Sequence, residues 1–152
     1  MTVVAFALWA TLALAGPGWQ GGAAPATAGS DPTPVRRVVD DYIGLYTRER
    51  LPDWKQLFLP SFTASFTNAD GTVTTRNLEA FYESQRAGFA RGSMSETLHD
   101  VRITREGHLA HAFAGFEFTS GGNSRRGQLM LLLIESQGQF RVAALAFSYH
   151  VQ

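Results

Sequence analysis

The chain of 152 residues contains no cysteine. That excludes a disulfide framework, a thiol nucleophile, a thiolate metal site and lipidation at a cysteine. It also lacks an excess of charge, since 13 Lys and Arg balance 13 Asp and Glu and charged residues make up only 17% of the chain. Without a basic run, non-specific nucleic-acid binding and polybasic membrane attachment lose their electrostatic basis. No apolar run reaches the roughly 20 residues that a helix needs to cross a bilayer, and no internal repeat is visible. What is present is 45% hydrophobic residues, enough for one core, in a chain too short for a second full domain.

The N-terminal part differs from the rest. Residues 3–15 (VVAFALWATLALA) are largely apolar, the stretch GPGWQGGAAPATAGSDPTP follows, and no charged side chain appears before Asp31. This pattern fits the hydrophobic region of a secretory signal, with small-x-small cleavage patterns ending at Ala15 or Ala28. No Lys or Arg precedes Val3, so an uncleaved anchor or a spurious extension is the competing reading. The expectation is a signal peptide and linker over residues 1–33, a domain over 34–152, a secreted or periplasmic location, and no stable membrane insertion after processing.

From Pro34 onward the periodicity is readable. Thr33 as cap and Pro34 at the first position precede Val35, Val38, Val39, Tyr42, Leu45 and Tyr46, the spacing of an amphipathic helix. A second, short helix is expected near Asp53, with Trp54, Leu57 and Phe58 on its apolar side and Pro60 ending it. The period then changes to two at Phe62, Ala64 and Phe66, and Asp70-Gly71 turns the chain into a hairpin. Asn77 caps a third helix carrying Leu78, Phe81, Tyr82, Gln85 and Phe89. Four long β runs follow, over about 96–105, 108–119, 126–135 and 140–151, separated by Gly-containing turns.

Two helices, a hairpin, a helix and a long meander make an α+β arrangement with helices on one side of a curved sheet. This order, together with VRRVVDDYIGLYTRERLPDWKQLF, TASFTNADGTVTTRNLEAFY and RRGQLMLLLIESQGQFRVAAL, resembles the nuclear transport factor 2-like superfamily, which includes SnoaL-like cyclases and ketosteroid isomerases. The resemblance implies a cone-shaped α+β barrel, with a curved antiparallel sheet whose concave face carries three helices around an apolar cavity. It also implies a homodimer through the outer sheet face. The sequence agrees with a sheet covered on both sides, because QLMLLLI at 128–134 is apolar at both parities. Either a partner subunit supplies the second cover by an isologous contact, or loops or the N-terminal segment cover that face.

Candidate site residues come from the meander. A three-residue loop at Arg105-Glu106-Gly107 would set Thr104 opposite His108, Val101 opposite His111 and His99 opposite Phe113, bringing His99, His111 and Glu117 to one largely apolar face. Lining a cavity, they would be proton carriers near neutral pH. At a rim or interface they would be hydrogen-bonded polar residues without chemistry. Tyr42 resembles the hydrogen-bond-donor tyrosine of ketosteroid isomerases, or else is a core aromatic. Where that family has its aspartate base, this chain has Phe66-Thr67-Asn68. His108 and His111 project to opposite faces and make no local metal pair. Arg125 and Arg126 read either as a carboxylate clamp or as a solvated strand end.

The function expected is therefore an exported small-molecule-binding or accessory domain. Its ligand would be apolar with one polar group, touching Tyr42, Trp54, Phe81, His99, His111, Phe113 and Glu117, and no cofactor or metal is expected. The alternatives are a cofactor-independent isomerase or cyclase using His111, Glu117 and Tyr42, and a dimeric interaction module whose cavity is filled by its own side chains.

Overall fold

The computed structural model describes residues 30–68 and 70–150. The segment read as an export signal, with both candidate cleavage points, lies outside the described residues, as does Val151. In chain order the elements are α1 (Thr33–Gly44), α2 (Leu51–Lys55), β1 (Phe58–Thr67), β2 (Val73–Asn77), α3 (Leu78–Arg91), β3 (Met94–Glu106), β4 (Leu109–Ser120), β5 (Asn123–Ser136) and β6 (Gln139–Tyr149).

Local sequence explains the helices. Val35, Val39 and Tyr42 form the buried stripe of α1. Its first turn is tied by Asp31, whose carboxylate accepts the Thr33 backbone N–H at 2.9 Å; Thr33, expected as the cap, sits inside the helix. The short α2 begins at Leu51 and buries Leu51 and Trp54. Phe58, expected on the apolar side of that helix, instead opens β1, and Pro60 lies within the strand where its pairing with β6 shifts between Phe58 and Thr63. Such irregular stretches tolerate a residue without an N–H. Asn77 caps α3 as expected, its side chain accepting the Ala80 N–H at 2.9 Å.

The six strands form one sheet in the order β2-β1-β6-β5-β4-β3. The fold is α+β with three helices and a curved sheet. Two details differ from a closed antiparallel barrel: β1 pairs with β6 in parallel, and the sheet stays open, with β2 and β3 at its edges. The meander from β3 to β6 brings the last strand back beside β1, and that long-range pairing carries no turn signature in the sequence. Packing of α1 on β3 and β6, and of α3 on β1 and β2, puts the core on one side of the sheet. Phe62, Leu131, Leu133 and Val142 are all 0% exposed there.

Leu131 and Leu132 sit at the centre of β5 on opposite faces, Leu131 fully buried and Leu132 half-buried. Leu131→Asp is expected to abolish the cooperative urea transition, because it buries a charge with no partner, whereas Leu132→Asp should keep it. The reverse result would exchange the two faces.

Candidate functional site

Between α1, α3 and the inner sheet face lies a cavity of about 460 Å³. Its wall is mainly aromatic, with Tyr42, Tyr46, Trp54, Phe81, Phe116 and Phe147 among the lining residues. Trp54 organises its closed end. The indole of Trp54 is 0% exposed, lies 5.6 Å from the Tyr42 ring, 5.2 Å from Tyr46 and 4.6 Å from Phe58, and donates to the Tyr42 carbonyl at 2.9 Å. That carbonyl belongs to the last turn of α1, where intrahelical partners run out. Tyr46, in the connection between α1 and α2, donates its hydroxyl to Gln85 of α3 at 2.5 Å and ties that connection to α3.

Among the described residues one carboxyl group lines this wall, that of Glu96. The β3–β4 register sets Glu96 opposite Phe118, so pleat geometry places it on the inner face with Met94 and Leu98. Burial raises its pKa from the ordinary 4.5 to about 7, and a hydrogen bond with Tyr42 opposes the rise. The Tyr42 phenol is pushed well above its usual value, first by burial and then by the Glu96 charge. Tyr149 is raised by the same two causes, with Arg125 acting against them. The Arg125 guanidinium stands 5.6 Å from the Tyr149 ring. A carboxyl whose pKa lies near neutrality can donate or accept a proton at physiological pH.

Of the residues selected from sequence, Tyr42, Trp54 and Phe81 line the cavity, and His99, His111, Phe113 and Glu117 do not. The cause is the facing of the meander. The β3–β4 turn uses two residues, Gly107 and His108, with Gly107 at φ +57 and Glu106 opposite Leu109. His111 therefore pairs with Thr104 and Phe113 with Arg102, not with Val101 and His99. A bulge between His99 and Arg102, with Asp100 at φ +54, shifts the pairing again and sets His99 opposite Gly115. The two changes cancel in parity, so His99, His111 and Glu117 do share a face, but it is the outer one. Ala110, Ala112, Ala114 and Phe116, each 1% or 2% exposed, occupy the inner face of β4.

On the outer face each of these side chains has a local role. A Cβ at Gly115 would clash with the imidazole of His99, so the His99 ring lies directly over that glycine. Glu117 receives Arg126 Nε at 3.0 Å across the β4–β5 pair. The Arg102 guanidinium lies 5.0 Å from the Phe113 ring, and His111 is exposed. Among the described residues no group of three or more His, Asp and Glu side chains is placed to hold a metal ion. Glu96 itself was legible only through a parity break: it is the carboxylate between Met94 and Leu98 on the apolar side of β3.

No family model matches the sequence, and no curated protein matches it. Solved structures match the fold. A nuclear transport factor 2-like protein of unknown function from Pseudomonas putida KT2440 superposes with a TM-score of 0.66 at 12% identity, covering 79% of this chain and 87% of its own. A protein of the same family from Streptomyces avermitilis, provisionally named a dehydratase, gives a TM-score of 0.65 at 13% identity, covering 79% and 96%. A Caulobacter vibrioides protein with a cystatin-like fold gives 0.61 at 15% identity, covering 78% and 89%. Inner-face helices, open curved sheet and these superpositions together identify the fold of this chain as nuclear transport factor 2-like.

Proposed function

We propose that this domain binds a small, largely apolar molecule whose one polar group meets Glu96 and Tyr42 while its body packs on the aromatic wall. The observation that carries the reading is a single carboxyl, with its pKa raised to about 7, in a cavity otherwise lined mainly by apolar and aromatic side chains. An apolar enclosure with a few convergent polar groups is the usual makeup of small-molecule sites, and about 460 Å³ is within their usual range. The same volume weighs against an interaction module whose cavity is filled by its own side chains. A second reading, proton-transfer catalysis of the isomerase or cyclase kind, is favoured by the Glu96 pKa, with Glu96 as acid or base and Tyr42 as hydrogen-bond donor.

The simplest test uses 2-naphthol and naphthalene as probes in titration calorimetry. The hydroxyl should make 2-naphthol bind about tenfold tighter than naphthalene, the worth of one hydrogen bond to a charged or polarised partner. Glu96→Leu should bring the two affinities together. If 2-naphthol does not bind the wild type, or keeps its advantage in Glu96→Leu, the reading fails.

We also propose that two copies pair through the outer sheet face. Leu109, Met130 and Ile134 are 53%, 43% and 37% exposed there, with Leu132 and Phe113 half-buried beside them. Apolar area of this kind favours a self-complementary contact. Sedimentation of the wild type should give a dimer, and Leu132→Asp a folded monomer. A wild type that stays monomeric at high concentration contradicts the interface.

A further inference from the structure

The edge strand β2 is built the wrong way round for a hydrophobic core. Val73 is 67% exposed, whereas Arg76 is half-buried and lines the cavity. The pairing explains the geometry: Arg76 lies opposite Ala64, which is 0% exposed, and Thr74 opposite Phe66, so Arg76 points to the inner face. Its guanidinium stands 5.2 Å from the centre of the Phe66 ring, a stacking that holds the plane of the group while leaving N–H edges to bind elsewhere. Arg91, at the last position of α3, lines the same cavity and is exposed.

Among the described residues neither arginine has an ion-pair partner. Every salt bridge in this part of the chain uses other groups. The one carboxylate of the cavity does not serve them, since Glu96 is shifted by burial and by Tyr42 and by no arginine. The cavity wall thus holds, besides the carboxyl of Glu96 and the phenol of Tyr42, a guanidinium stacked on Phe66 that this carboxyl does not serve. Solvation of Arg76 at an edge, as a guard against strand pairing, would explain an inward charge. It leaves unexplained why the guanidinium is fixed over an aromatic ring of the cavity wall.

We propose that Arg76 is a carboxylate-binding subsite, and that the ligand is an aromatic or alicyclic acid with its anionic end at Arg76 and a hydroxyl or carbonyl at Glu96 and Tyr42. This rests on the binding function proposed above and narrows its ligand from an apolar molecule to an amphipathic anion. Guanidinium and carboxylate match in a two-pronged hydrogen-bonded pair, and the surrounding apolar wall strengthens it relative to water.

The test compares 6-hydroxy-2-naphthoate with 2-naphthol, which share a ring system and a hydroxyl and differ in the carboxylate. Wild type should bind the acid about tenfold tighter than the naphthol, the lower end for a charge-assisted pair at a half-exposed site. Arg76→Gln should remove that preference, so that the acid and the naphthol bind with equal affinity within that variant. Arg76→Lys, which keeps charge and stem, should fold like the wild type and retain the preference only in part. Equal binding of both probes by the wild type, or a full preference surviving in both variants, overturns the subsite while the cavity reading stands. Failure of 2-naphthol to bind overturns the cavity reading and the subsite with it, whereas failure of the acid alone overturns only the subsite.

Discussion

The hydrogen bond from the Trp54 indole to the Tyr42 carbonyl, at 2.9 Å and fully buried, is the contact on which the rest of the architecture turns. Tyr42 lies in the last turn of α1, where carbonyls run out of intrahelical donors, and leaving its carbonyl unpaired in the core would cost about 1–3 kcal/mol. Trp54 satisfies it from the short α2 and at the same time packs on Tyr46, Phe58 and Phe81. Aromatic pairs of this kind each add about 0.5–1.5 kcal/mol beyond area burial. The result is a rigid corner joining α1, α2, α3 and β1, and it holds Tyr42 where its phenol meets Glu96.

From that corner the cavity follows. Side chains from α1 and α3 stand off the sheet without filling the space beneath them, and small inner-face residues on β4, Ala110, Ala112 and Ala114, are buried without bulk. Glu96 is carried into this apolar space by its strand. Moving its pKa from 4.5 to about 7 corresponds to roughly 3 kcal/mol set against ionisation. Such an expense in stability is common where a group is kept for function.

Much of the fold was legible because helices and turns announce themselves locally. The 3–4 spacing from Val35 to Tyr42, the Asn77 cap and the Asp70-Gly71 turn all appear where the residues put them. The parallel β1–β6 pairing was not legible, since partners so distant in sequence leave no local mark. The site was half legible. Aromatic positions on helices, Tyr42, Trp54 and Phe81, could be assigned from helical periodicity, whereas the facing of the meander depended on one turn and one bulge. Gly107 and Asp100 each shift register by sterics that a one-residue difference in loop length conceals. The apolar run Ala110, Ala112, Ala114, Phe116 was the better guide to the inner face than the polar residues between them. That run by itself sets Glu117 outside and, through the cross-strand pairing of Glu96 with Phe118, Glu96 inside.

Glu96 is central as a carboxyl desolvated in the cavity rather than a solvated strand residue. An unfolded Glu96 would ionise at its ordinary value while the folded one holds its proton, so its contribution to stability is full below about pH 4.5 and is lost as pH rises through about 7. Titration of the side-chain carboxyl carbon by NMR in selectively labelled protein, assigned through Glu96→Gln, reads this property directly. The account predicts a midpoint near 7, moving higher in Tyr42→Phe as the opposing hydrogen bond is removed. A midpoint near 4.5, unmoved by Tyr42→Phe, would contradict it.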